Sequence, residues 1–198
     1  MRLGIFGGTF DPIHLGHLLT AEAVLEGLFL DKVIFIPASI PPHKTDKFVT
    51  PPEKRMDMTR LGTAYNENFA VSDIELKRKG PSYSVDTVSE LKNRYPDGEF
   101  FFIIGSDAIN DIATWHEAKK LIASCNFAAV TRAGKPLNRE YLREYFGELA
   151  HTNITEVKTP QIEISSTDIR RRIGEGKNIS YMVTKEVAEY IKREGLYL

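Results

Sequence analysis

The chain has 198 residues, with 26 Lys and Arg against 27 Asp and Glu, five His, one Cys and a formal net charge of −1. That length suits one domain whose core needs no disulfide or metal staple, and 42% hydrophobic with 27% charged residues exclude a disordered, fibrous or membrane-embedded chain. A single cysteine excludes an internal disulfide, and the balanced charge argues against a nucleic-acid partner, which shows itself by a basic excess, while leaving a small anionic ligand open.

In chain order, residues 2–6 read as a first strand. Their apolar run is shorter than the roughly 7–15 residues of a signal peptide or the roughly 20 of a membrane span, so the expectation is a cytoplasmic protein. Residues 15–27 carry helical periodicity, and residues 32–37 (KVIFIP) form a second strand. Residues 38–52, with four prolines, form a loop. Then come a helix over 52–65, a strand over 69–73 and a solvated loop over 77–82 that holds Lys77, Arg78 and Lys79. A helix over 84–95, a strand over 99–104 (EFFFII), a helix over 116–124 and a strand over 126–131 (NFAAVT) follow, with residues 153–157 as a sixth strand. Continuous runs such as VIFI and FFFII suit strands covered on both faces. The alternation predicts an α/β, doubly wound, Rossmann-like and mostly parallel sheet with helices on both faces. Residues 165–174 and 184–195 read as helices with no strand after them, so residues 165–198 are a helical C-terminal segment of a single domain spanning 1–198. Thr184 is the cap of the second of these helices and Gly195 its stop. Cys125, at a strand start, is read as a buried small hydrophobe.

In an open α/β sheet ligands bind beyond the C-terminal strand ends. The first strand runs into GGTFDPIHLGH, from Gly7 to His17. Its glycines allow a tight turn and close approach of backbone to a ligand, and the helix start beyond them directs N–H groups at an anion. It is neither a Walker A loop nor GxGxxG. His14 and His17, three residues apart at a helix start, project to one side and can meet one phosphate, with Gly16 leaving room between them. Zinc is the weaker alternative, since no third ligand lies nearby. Near the other end stands ISSTDIR, from Ile164 to Arg170. Ser165, Ser166 and Thr167 open a helix with hydroxyls and N–H groups, and Arg170 sits one turn on, giving a second anion clamp or, on the plainer view, a capped helix with solvated arginines. Trp115, the only tryptophan, follows the fourth strand and is either a stacking surface for a flat aromatic ligand or a core residue. Lys44 after the second strand is a mobile point charge for a phosphate tail or an ordinary surface lysine. Asp107 holds a ribose hydroxyl, orients a magnesium-bound water or caps a helix.

GGTFDPIHLGH and ISSTDIR resemble the HxGH and ISSTxIR signatures of the nucleotidyltransferase superfamily. Further segments are similar to its nicotinate-nucleotide adenylyltransferase family: Pro41-Pro42-His43-Lys44, KGPSYSVDT from Lys79, IGSD from Ile104, TWHEA from Thr114 and the closing Gly195-Leu196-Tyr197. This resemblance covers essentially the whole chain. It implies His14, His17, Lys44 and Arg170 as the catalytic, charge-stabilising groups. It implies ATP contacts from Gly7, Gly8, Thr9, Phe10, Gly105, Asp107, Ile164, Ser165, Ser166 and Thr167, and acceptor contacts from Ser84, Trp115, His116 and Arg132. Main-chain N–H groups of Ser84 and His116 would hold a pyridine carboxylate; Ser84 stands where the family has Thr. Arg132 falls in Arg132-Ala133-Gly134, where the family has RPG.

The implied reaction joins ATP and nicotinate mononucleotide into nicotinate adenine dinucleotide and pyrophosphate, within NAD biosynthesis. The implied cofactor is Mg²⁺ travelling with ATP, with no metal ligand assigned among the side chains. Both partners are small molecules, with neither nucleic acid nor membrane, and a homo-oligomer is compatible with the sequence. Two alternatives stay open: nicotinamide mononucleotide as the preferred acceptor, and a non-catalytic nucleotide-binding regulator of the same fold.

Overall fold

In the computed structural model, residues 1–39, 49–131, 136–160 and 162–198 are described. Six parallel strands form one sheet in the order β3-β2-β1-β4-β5-β6, the doubly wound order that reverses between β1 and β4. They are β1 (Arg2–Gly8), β2 (Lys32–Pro37), β3 (Phe69–Val71), β4 (Glu99–Gly105), β5 (Asn126–Thr131) and β6 (Ile154–Lys158).

The period of two along each strand divides the apolar side chains between two cores. In β4, Phe100, Phe102 and Ile104 enter one core, while Phe101 and Ile103 enter the other. The first core is roofed by α3 (Ser84–Arg94), the short α4 (Ser106–Asn110), α5 (Ala118–Ser124), α6 (Arg139–Phe146) and α7 (Glu148–Thr152). On the opposite face α1 (Leu15–Gly27), α2 (Pro52–Thr63), α8 (Ser166–Gly174) and α9 (Lys185–Arg193) close the second core. Capping places the helix starts: Thr184 Oγ1 accepts from Val187 N–H at 3.4 Å, and Ser165 Oγ from Asp168 N–H at 3.1 Å. Gly195 ends α9's segment at φ +59°, a conformation that glycine adopts without steric cost. Among the described residues no helix is long and apolar enough to cross a membrane.

Among the described residues three α-helices have no counterpart among the expected elements. α4 and α7 have five residues each, too few to express a period. α6 (REYLREYF) is legible in hindsight from Leu142 and Phe146 one turn apart and from Asn138, whose side chain accepts from Tyr141 N–H at 3.1 Å. The first strand also runs two residues further than expected, because Gly7 and Gly8 pair with Ile36 and Pro37. Arg78 is a further correction. It is pinned to α3 through Thr87 Oγ1 at 3.1 Å and Glu90 at 2.9 Å rather than solvated, whereas Lys77 pairs with Asp73 at the surface. Cys125 is buried, and burial pushes its thiol up to about 12, so it is inert.

Candidate active site

The sheet's reversal between β1 and β4 opens a crevice at their C-terminal ends, and there lies a cleft of about 1120 Å³. Drug-sized ligand pockets span roughly 300–1,000 Å³, so this one has room for two nucleotides. Gly7, Gly8, Thr9, Phe10, His14 and His17 line one side, Gly105, Asp107, Ser84, Trp115 and His116 another, and Ile164 with Ser165 a third. Most of the residues singled out in the sequence thus converge on one cavity from four separate stretches of chain. Lys44 and Arg132 lie outside the described residues.

The turn after β1 is built differently from the expectation. Both glycines are strand residues, and the bend falls on Phe10, at φ +48°, and on the cis Asp11-Pro12 bond. Gly8 is required for another reason: a Cβ there would stand 2.8 Å from the buried Phe10 ring. Past the turn, His14 caps α1 and its N–H donates to His17 Nδ1 at 3.3 Å. The two imidazoles stack at 3.7 Å with 22° between planes. Because Nδ1 of His17 accepts, its Nε2 carries the hydrogen in the neutral ring, the state able to donate to a phosphate oxygen. Phe6 and Phe10 meet His17 edge-on at 6.1 and 5.1 Å and fix the ring's plane. The space at Gly16 is taken by His14, whose Nδ1 would lie 3.1 Å from an added Cβ, rather than kept for a phosphate. One N–H of the helix start is also spent, since Leu15 donates to Met182 O at 2.9 Å.

In the ISSTDIR segment several side-chain donors are engaged within the protein. Ser166 Oγ donates to Pro12 O at 2.8 Å, Arg170 Nη1 donates to Asp11 O at 2.7 Å and Nη2 to Thr167 Oγ1 at 3.4 Å. Only Ile164 and Ser165 of this segment line the cleft. Ser166 and Arg170 fasten α8 to the turn after β1, with Thr167 bracing Arg170 within the helix, and Arg170 keeps further N–H donors.

On the other side, Trp115 is half-buried, its ring edge-on to Phe102 at 6.2 Å, so one indole surface packs on the core while the residue also lines the cleft. Tyr83, which the sequence reading passed over, stacks on His116 at 4.2 Å and 27°. Ser84 opens α3, whose cap Tyr83 supplies no side-chain bond to the first-turn N–H groups. Asp107 folds its carboxylate back over Gly105, where an added Cβ would meet Oδ1 at 2.6 Å.

Beneath the cleft floor lies a polar layer with no signature motif beyond Asp11. Arg55 on α2 is fully buried; burial lowers its pKa, and the Asp11 carboxylate opposes that shift. Asp11 accepts from the Tyr197 hydroxyl at 2.6 Å and from Thr50 N–H at 3.3 Å. Burial, then the bond to Asp11, keeps that hydroxyl protonated throughout the physiological range. Glu75, buried and lining the cleft, accepts from Thr87 Oγ1 at 2.7 Å and from the Ser82 hydroxyl. Burial raises its pKa above 4.5 despite both bonds. The folded state therefore holds this proton more tightly than the unfolded one, and stability falls as pH rises from about 4.5 through the folded value. Glu75→Gln, which keeps the shape without the charge, is expected to melt above the wild type at pH 8, the gap closing towards pH 4. Melting curves across that range test this, and a gap independent of pH would refute it.

Among the described residues no three His, Cys, Asp or Glu side chains are grouped as a metal site. Asp107 lines the cleft beside imidazoles, with the carboxylates of Glu75 and Glu163 also in the lining, a set suited to Mg²⁺ that arrives on phosphate oxygens and keeps most of its waters.

The cytidylyltransferase-like family matches residues 5–172. A probable nicotinate-nucleotide adenylyltransferase of Thermus thermophilus is 46% identical over the full length of both chains. One from Moorella thermoacetica is 48% identical over 99% of this chain and 91% of its own. Among solved structures, a Plasmodium falciparum nicotinic acid mononucleotide adenylyltransferase complexed with APC superposes with a TM-score of 0.81 at 20% identity, covering 99% of this chain and 96% of that one. The same Plasmodium protein complexed with NaAD gives 0.79 at 21%, with 99% and 97% covered.

Proposed function

The chain belongs to the nicotinate-nucleotide adenylyltransferases of the cytidylyltransferase-like family, and on that premise we propose that it transfers the adenylyl group of ATP to nicotinate mononucleotide, releasing pyrophosphate. The observation that carries this reading is a single cleft with a stacked histidine pair on one side and Trp115, His116 and the first turn of α3 on the other. The first side suits a triphosphate, the second a flat ring bearing a carboxylate.

A phosphate monoester has a second pKa of about 6, so the attacking oxygen is already ionised at neutral pH and no general base is needed. What the protein must supply is in-line alignment of two anions and donors for the charge that grows on the transferred phosphoryl oxygens. His17 Nε2–H donates there, held in plane by Phe6, Phe10 and the His14 N–H. His14 meets the neighbouring phosphate, and the main chain at Gly7, which lines the cleft without a side chain, approaches closely. Arg170 reaches the triphosphate with the donors it does not spend on Asp11 and Thr167. Lys44 takes the tail and Arg132 the acceptor side, as their sequence positions imply. Ser84 and His116 bind the carboxylate through main-chain N–H groups and Trp115 stacks on the pyridine. Asp107 would hold Mg²⁺, and the cation, when bound, would offset phosphate charge.

Pyrophosphate release from ATP with a panel of mononucleotides tests the assignment. Release is expected with nicotinate mononucleotide at a kcat/KM well above that for the nicotinamide analogue, and chelation is expected to lower it about tenfold or more, with Mg²⁺ restoring it. Preference for the amide would move the acceptor assignment; no release with any acceptor would leave a nucleotide-binding regulator.

A further inference from the structure

Arg55 heads the fully buried side chains by size, yet it does not line the cleft. Its guanidinium lies below the floor, and among the described residues its hydrogen bonds go to main-chain carbonyls. Nη1 donates to Thr9 O at 2.7 Å, Nη2 to Ala38 O at 2.7 Å and Ser39 O at 3.2 Å, and Nε to Thr50 O at 2.8 Å. Thr9 belongs to the turn after β1 and Ala38 to the segment after β2, and both line the cleft. Burying a guanidinium is expensive unless its donors are met, and stability alone is served as well by an apolar residue of equal volume. What the planar fork supplies is geometry: three stretches of main chain fixed to one rigid group.

The chain of bonds continues towards the acceptor side. Ser39 N–H donates to Ser82 Oγ at 3.1 Å, the Ser82 hydroxyl donates to Glu75, and Glu75 accepts from Thr87 Oγ1. Ser82 and Thr87 bracket Ser84, the first residue of α3. Towards the nucleotide side, Asp11 opposes Arg55 by charge and offers its carbonyl to Arg170. A polar path therefore runs from α8 to α3 along the cleft floor, with Ser82 and Glu75 in the cleft lining and Arg55 and Thr87 outside it.

We infer that Arg55, with Ser82, Glu75 and Thr87, is a positioning relay that holds the phosphate-binding turn and the first turn of α3 in register across the segment after β2. This rests on the adenylyl transfer proposed above. With no general base in that reaction, rate depends on alignment, and an error of about 1 Å in placing one reactant costs on the order of 100-fold. Arg55 and Thr87 are positioning residues, because neither touches a substrate.

The test uses Arg55→Lys, which keeps the charge without the fork, and Thr87→Val and Thr87→Ser, which remove and keep the hydroxyl. Steady-state kinetics with both substrates varied are run beside melting curves. Arg55→Lys is expected to lower kcat about tenfold or more, while equilibrium binding of each substrate alone changes by less than about threefold. Thr87→Val is expected to raise KM for nicotinate mononucleotide about fivefold to tenfold with KM for ATP within about twofold, and Thr87→Ser to restore it. A cooperatively melting Arg55→Lys with wild-type kcat would overturn the relay. So would a Thr87→Val that shifts both KM values alike or neither. If Arg55→Lys does not fold, the Thr87 pair decides. Wild-type protein is assayed first: absent turnover refutes adenylyl transfer, whereas normal turnover with silent variants refutes the relay alone.

Discussion

His17→Ala is expected to lower kcat by roughly 10²–10³-fold while the protein still folds, the cost typical of deleting one preorganised donor to transition-state charge. Four contacts make the ring preorganised: the His14 N–H on Nδ1, the His14 ring stacked at 3.7 Å, and the edge-on rings of Phe6 and Phe10. Together they fix both tautomer and plane before substrate arrives, so little reorganisation is left for the chemical step. Stability should change little by comparison, because His17 is only half-buried and the hydrogen bond it accepts from the His14 N–H is long, at 3.3 Å. Turnover near the wild type in a folded His17→Ala protein would remove the residue from the phosphate site.

Trp115→Ala is expected to raise KM for the mononucleotide roughly tenfold or more, with KM for ATP nearly unchanged, since ring-on-aromatic stacking contributes about 1–3 kcal/mol. The indole's edge contact with Phe102 ties it to the first core, so some loss of melting temperature accompanies the change. Trp115→Phe separates the two roles: it keeps a stacking surface, and most of the affinity should return. Equal rises in both KM values, or lowered stability alone, would make Trp115 a packing residue.

The fold was legible in the sequence where strands are wholly buried. KVIFIP and EFFFIIG announce themselves as central strands, and β1, β2 and β4 meet at the reversal point where a ligand site belongs. The site was legible where the chemistry sits in side chains of unusual type and spacing, as at His14, His17 and Trp115. It was illegible where side chains bind main chain. Nothing in PPEKRMDM marks Arg55 as a hub, because its four acceptors are carbonyls of residues 9, 38, 39 and 50. ISSTDIR left two readings open for the complementary reason. A run of hydroxyls followed by an arginine forms an anion clamp or a splice between two segments, and only the position of Pro12 and Asp11 opposite it decides which donors are already used. Gly8 and Gly16 follow the same logic, making room for Phe10 and His14 rather than for a ligand.

The bond from Tyr197 to Asp11 spans 186 positions. Closing so long a loop costs entropy that only the finished tertiary structure repays, and contacts this distant in sequence form late in folding. The sheet can therefore assemble from neighbouring βα units while the turn after β1 still lacks its last support. Competence for chemistry would then arrive as the final event of folding, after the strands have paired, and a partly folded chain would have the cleft's outline without its working floor.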